Sequence, residues 1–203
     1  MQEVKQIIHQ IRTEGKSFAD PVSGAELFTP IEEIRGGYLY ELFPALSEEE
    51  ILSLCQSYTG KFPEELLEFY RITNGGNFFC RYIRIAGMPY SPLRFQNCKI
   101  PDALRHVDLH RTKNTPREWL FFATYKDWKK CGQAHVCLDC SAPGPKKPVY
   151  CLPYDGDEIW MRWDSFEQWF CSEFYRFDSK YSNGDYEIYD IVPGVMRGIR
   201  FAE

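Results

Sequence analysis

The stretch FPEELLEFYRITNGGNFF, residues 62–79, decides the fold. Pro63 suits the first position of a helix, where its missing N–H costs nothing. Glu64 and Glu65 follow in the first turn, where the positive end of the helix dipole favours carboxylates. Leu66, Phe69, Tyr70 and Thr73 recur at spacings of three and four, which predicts one buried face. Asn74, Gly75 and Gly76 can take positive φ, so they stop the helix and re-aim the chain. Phe78 onward reads as a strand. The glycines come after a helix and not before one, so they are read as a helix-to-strand joint and not as a phosphate loop.

Upstream, LSEEEILSLCQSYTG starts with a capping box, Ser47 and Glu50. It continues with Ile51, Leu54, Cys55 and Tyr58 on one stripe, and Gly60 ends it. Residues 47–74 are therefore expected to be a helical pair. Residues 3–13 predict a helix with Val4, Ile7, Ile8 and Ile11 on one side. Residues 15–44 carry Pro21, Gly24, Pro30, Gly36, Gly37 and Pro44 and read as an irregular arm.

Downstream the period changes. Residues 77–85 read as one strand, 102–110 as a short helix, and WLFFAT (119–124) as a buried strand. QAHVCLD (133–139) alternates with period two, VYCLPY (149–154) is a further strand, Asp155-Gly156 is a hairpin turn, and EIWMRW (158–163) pairs back. Consecutive strands with short connections predict a mainly antiparallel sheet. DSFEQWFCSEFY closes the pattern with a helix. Its cap is Asp164 or Ser165, Glu167 boxes with Asp164, and Phe166, Trp169, Phe170 and Phe174 form an aromatic stripe. In the tail, YSNGDYEIYD is acidic and Tyr-rich, and VMRGIRF is expected to add a strand.

The bulk numbers set limits. A chain of 203 residues fits one domain with extensions. Aromatics at 16% exclude a disordered chain. A net charge of −5 without a basic run argues against nucleic acid and anionic membrane as partners and suits a basic protein. No apolar run approaches the roughly 18 residues of a membrane span. The charged, amphipathic first residues do not read as a secretory signal, so the eight cysteines are expected to be thiols in a reducing, cytoplasmic setting.

Several groups of residues could in principle carry chemistry. Cys137 and Cys140 have CxxC spacing, with Cys131, His135 and Cys151 nearby. The strand alternation sends Cys137 and Cys140 to opposite faces, so no metal and no other cofactor is expected. His106 and His110 lie four apart, but Val107 stands where a zinc protease needs Glu. No GxSxG, Walker loop or GxGxxG is present, which leaves no recognisable catalytic residue. Asp155, Asp157 and Glu158, with Asp139 on a neighbouring strand, are read as a turn facing solvent or a partner.

Taken in order, Phe62-Pro63, Asn74-Gly75-Gly76, Gly132 to Asp139, Val149-Tyr150 and Ser165-Phe166 to Trp169 make an arrangement that resembles the SUKH superfamily. That superfamily groups bacterial immunity proteins with a yeast regulator of cell-wall synthesis. Phe62 stands where members typically have Leu. The likeness covers about residues 45–175, with residues 1–44 an N-terminal helix and arm and 176–203 a tail packing on or extending the domain. It implies an α+β fold with helices on a mostly antiparallel sheet of about four to six strands, and no enzyme activity. It also implies a cytoplasmic protein that binds a cognate polymorphic toxin, such as a nuclease. The alternatives are a regulatory scaffold and a zinc-dependent enzyme or zinc-stabilised module built on the 131–151 cysteines. For the contact surface, the acids and aromatics of the hairpin, Tyr154, Asp155, Asp157 and Glu158, come first. Tyr181, Tyr186 and Tyr189 come second, because tyrosine serves interfaces well.

Overall fold

The structure is a computed structural model, and it describes residues 1–15, 17–31, 37–58, 62–89, 99–108, 111–126, 133–154 and 156–182. Among these it has five helices and one sheet of nine strands. In chain order the elements are α1 (Gln2–Glu14), β1 (Ser17–Ala19), β2 (Glu26–Ile31), β3 (Gly37–Leu42), α2 (Glu48–Gln56), α3 (Glu64–Tyr70), β4 (Gly76–Phe78), β5 (Ile83–Ile85), α4 (Leu104–Asp108), β6 (Trp119–Lys126), β7 (Gln133–Asp139), β8 (Val149–Pro153), β9 (Met161–Trp163) and α5 (Phe166–Ser182). Each strand pairs antiparallel with the next in sequence. The α+β class expected from the sequence holds. The expected four to six strands are too few, because the 15–44 segment, read as an irregular arm, contributes β1, β2 and β3 to the same sheet.

The two faces of the sheet do different work. A row of apolar partners, Tyr40↔Phe78↔Ile83↔Tyr125↔Ala134, runs across the face that meets α5. On α5, Phe166, Trp169, Phe170, Phe174 and Phe177 are buried against it, with Phe170 set edge-on to Phe78 at 5.3 Å. α1 buries Val4, Ile7, Ile8 and Ile11, the stripe read from the sequence. Alternation puts Glu41↔Asn77↔Arg84↔Thr124↔His135↔Leu152 on the other face. That row is largely polar, and Glu41, Asn77, Thr124 and His135 are nonetheless buried.

Four local features differ from the sequence expectation. Pro63 is the cap residue and α3 starts at Glu64. The helix ends at Tyr70, and Thr73 lies beyond it, donating its hydroxyl to Phe43 O at 2.9 Å and Gly75 O at 2.8 Å. Residues 77–85 form two strands, because Phe79, Cys80 and Arg81 all take positive φ and reverse the chain. The cap of α5 is Ser165, one of the two residues offered by the sequence, whose Oγ accepts the Gln168 N–H at 3.0 Å, but the expected box with Asp164 is not made by Glu167: Gln168 Oε1 accepts from Asp164 N at 2.6 Å. Glu167 turns instead to α1 and accepts the Glu3 N–H at 3.1 Å. Gly60 and the tail strand expected at 195–201 lie outside the described residues.

The Asn-Gly-Gly joint works by a different division of labour from the one expected. Only Gly75 has positive φ (79°), and a Cβ there would stand 2.6 Å from Ile85 O. Asn74 is fully buried and reads both backbone groups of Met88. Its Nδ2 donates to Met88 O at 2.7 Å, and its Oδ1 accepts the Met88 N–H at 2.7 Å. Gly87 passes so close that a Cβ would meet Asn74 O at 2.4 Å. Asn74→Ala strips Met88 of both partners, and leaving such groups unmet puts the cost at about 2 kcal/mol. Asn74→Asp, which keeps the acceptor alone, is expected to fall between wild type and Ala in urea-unfolding midpoint. An Ala variant as stable as wild type would show that the 74–88 clamp is not structural.

Candidate functional site

After β8 the chain does not make the two-residue hairpin that Asp155-Gly156 suggested. A seven-residue connection, 154–160, precedes β9, and Trp160 N–H donates to Cys151 O at 2.9 Å. Tyr154, Asp157 and Glu158, named from the sequence, lie on this connection together with Ile159. Tyr154 and Ile159 are each 46% exposed, and Asp157 and Glu158 are exposed between them. Tyr154 is not loose. Its ring lies 5.1 Å from that of buried His135, which is 5.9 Å from Phe121, over which the Arg111 guanidinium sits at 5.6 Å. His135 and Phe121 belong to the face away from α5, so the segment decorates the polar side of the sheet.

Of the carboxylates read as a turn facing solvent or a partner, the described ones, Asp157, Glu158 and neighbouring Asp139, have different surroundings. Asp157 is held by its own chain: Thr112 Oγ1 donates to Oδ1, Asn114 Nδ2 to Oδ2 at 3.0 Å, and Thr115 Oγ1 to Oδ1 at 3.2 Å. The Thr112 hydroxyl, then Asn114 and Thr115, hold its pKa below the usual carboxylate value. Asp139 caps the turn after β7, accepting from Ser141 N–H at 3.0 Å. Glu158, beside Asp157, is exposed as well. Tyr181 is half-buried and packs on the edge of the main core, so part of its ring is committed to the fold. Asp155, Tyr186 and Tyr189 lie outside the described residues. Sequence reading missed Ile159 as an exposed member. It also missed Thr112, Asn114 and Thr115 as the partners of Asp157, whose only signal was the turn-forming TKNTP run.

The cysteines of the 131–151 region are dispersed over the sheet. Cys151 sits opposite Val136, so it shares a face with Val136, while Cys137 takes the opposite face. Burial pushes both of their thiols well up, and Cys140 to about 11, so these groups stay protonated at neutral pH. Among the described residues no three His, Cys, Asp or Glu side chains come together as a metal site. Cys131 and His110 lie outside the described residues, and His106 is exposed on α4. No described helix is long and apolar enough to cross a membrane.

The fold and these surfaces define an α+β protein built on a single antiparallel meander, with the aromatic stripe of α5 on one face and a largely polar row on the other. The SMI1/KNR4 family (SUKH-1) matches residues 45–172, and the chain belongs to that family. Neither the curated proteins nor the solved structures return a match.

Proposed function

We propose that the protein is a non-catalytic binding module of the immunity kind, which engages a cognate polymorphic toxin in the cytoplasm and covers its active site. The observation that carries this reading is the 154–159 segment, where an aromatic and an aliphatic side chain stand exposed around a solvent-facing carboxylate on a rigid aromatic support. Family membership supports a protein partner. The net charge of −5 favours a basic one, such as a nucleic-acid-degrading toxin, through faster encounter and complementary potential. Tyr154 is the central anchor, Ile159 its apolar neighbour and Glu158 the steering charge. Asp157 shapes the loop by holding the 112–115 turn.

The test is rescue of growth by co-expression with the product of the neighbouring gene, followed by affinity measurement on the purified pair. Tyr154→Ala with Glu158→Lys is expected to weaken binding about a hundredfold, as loss of an aromatic anchor does. Because neither residue is buried, the melting temperature should stay within about 2 °C of wild type. Unchanged affinity would remove the segment from the interface. Failure of the wild-type chain to rescue growth or to bind would remove the immunity reading.

A further inference from the structure

Among the described residues the sheet ends on two open strands, β1 and β9, each three residues long and paired on one side only. An open edge presents unpaired backbone N–H and C=O groups, and proteins guard such edges with charge, proline or a covering segment. β9 has a guard in Arg162, which is exposed. β1, Ser17-Phe18-Ala19, has neither a charge nor a proline, and all three residues are exposed. Phe18 at 44% and Val22 at 47% exposure add apolar surface beside this edge.

The path of α5 brings the chain to that end of the sheet. α1 and α5 run side by side in the same direction. Near their starts the Glu3 N–H meets Glu167, and near their ends the Glu14 charge, after burial, raises the Asp178 carboxyl above its usual value. The second half of α5 reaches β3, where Phe174 stacks on Tyr40 at 5.9 Å, and burial, then Asp178 and Tyr181, push the Tyr40 hydroxyl up. Tyr40 stands opposite Phe28, and Phe28 opposite Ser17, so β1 is two strands away, about 10 Å. β9 is six strands away in the other direction, about 30 Å. α5 ends at Ser182, and residues 183–203 follow. Of these, VMRGIRF (195–201) has the sequence character of a strand. A connection of about 12 residues before it has a typical span of roughly 20 Å, which suits β1 and falls short of β9.

We propose that residues 195–201 add to the open edge of β1 as a further strand of the sheet. Val195, Ile199 and Phe201 share one side of such a strand, with Arg197 between them, and supply apolar cover for the surface around Phe18 and Val22. The tail then guards the edge that β1 leaves undefended, and it closes that edge to a second copy of the chain. Tyr186 and Tyr189 fall in the connection on the β1 side. They are at the other end of the strand order from the 154–159 segment and do not extend its contact surface.

The test uses the full, isotope-labelled chain. Backbone NOEs between residues 17–19 and 195–201 are expected, as between paired strands about 5 Å apart, and they should remain within one chain when labelled and unlabelled protein are mixed. Adjacent residues of a strand send their N–H groups to opposite sides, so Ile199→Pro combined with Arg200→Pro must remove one donor that faces β1. That double variant is expected to abolish the NOEs and to speed amide exchange in β1 at least about tenfold. Should it not fold, the NOEs of the wild-type chain decide. An absence of NOEs from 195–201 to β1, or their appearance at β9, would overturn the proposal. So would NOEs between labelled and unlabelled copies, which assign the edge to a second molecule, or a folded double variant with unchanged β1 exchange. None of these readings involves the 154–159 segment or growth rescue, so the two proposals fail separately.

Discussion

Trp169→Ala is expected to destabilise the protein by about 4 kcal/mol, which for a chain of this size lowers the melting temperature by about 10 °C. Trp169 has no exposed surface, and its ring stands edge-on to Phe122 at 4.9 Å and lies 5.6 Å from Phe166. Truncation opens a cavity at the centre of the α5–sheet layer, where packed neighbours cannot collapse fully. A polar chain ends at the same ring. The indole N–H donates to Tyr125 Oη at 2.9 Å, Tyr125 donates to Glu173 Oε2 at 2.8 Å, and Arg176 closes on Glu173. Burial, then the nearby Glu173 charge, pushes the Tyr125 pKa well up, so its hydroxyl remains a donor. Trp169→Phe separates the two contributions. It keeps much of the volume, loses the indole bond and should cost about 1–2 kcal/mol. Guanidine unfolding of both variants measures this. A Trp169→Ala loss no larger than that of Trp169→Phe would mean that filled volume at this site matters little.

The parts of the fold visible in the sequence are those with a long, regular period. Val4, Ile7, Ile8 and Ile11 mark α1, Phe166 to Phe174 mark α5, and the alternation of Ala134, Val136 and Leu138 marks β7. The missed strands lack such a signal. β1 is three residues long and exposed throughout, and it is a strand because β2 pairs with it. The reversal between β4 and β5 places Phe79, Cys80 and Arg81 in the left-handed region, which side chains of those types do not advertise. Phe79 accepts that backbone while its ring is buried between Tyr40, Phe174 and Phe177. Tertiary packing sets that conformation, and tertiary packing is not local.

The candidate surfaces follow the same logic. The exposure of Tyr154, Asp157 and Glu158 follows from turn chemistry and is readable. The capture of Asp157 by Thr112, Asn114 and Thr115 spans more than forty positions and is not. Glu65 is the sharper case. A first-turn glutamate is sufficiently explained by the helix dipole, and its neighbour Glu64 behaves that way. Only the position of α5, fixed by the aromatic core, shows that Glu65 faces inward and accepts the Phe166 N–H. Periodicity tells which face of a helix is apolar, and it says nothing of a polar residue placed at the seam between two helices.

Glu41→Ala is expected to cost about 3 kcal/mol at neutral pH, the lower end for breaking a buried ion pair, since Arg81 is 43% exposed. The Glu41 side chain is 3% exposed on the polar face of β3. It accepts from Lys99 Nζ at 2.7 Å, from Arg81 at 3.2 Å and from Asn77 Nδ2. Burial alone would raise its pKa. The Lys99 hydrogen bond, the Arg81 charge and Asn77 outweigh that and hold it below the ordinary 4.5. A carboxyl depressed in the folded state binds its proton more readily when unfolded, so its stabilisation is fully present above 4.5 and is lost as pH falls through the lower folded value. Glu41→Gln makes the sign measurable. At neutral pH it removes the charge facing Lys99 and Arg81 and is less stable than wild type. In acid the wild-type carboxyl is protonated and resembles the amide, so the two stability curves converge. Asp20, Glu48 and Glu167 are also held below their usual values, and they act equally in both chains, so they cancel from the difference. Chemical unfolding from neutral pH down to about 3 follows the gap. A gap that stays constant over that range would mean that Glu41 supports the sheet by shape and hydrogen bonding, with no contribution from its charge.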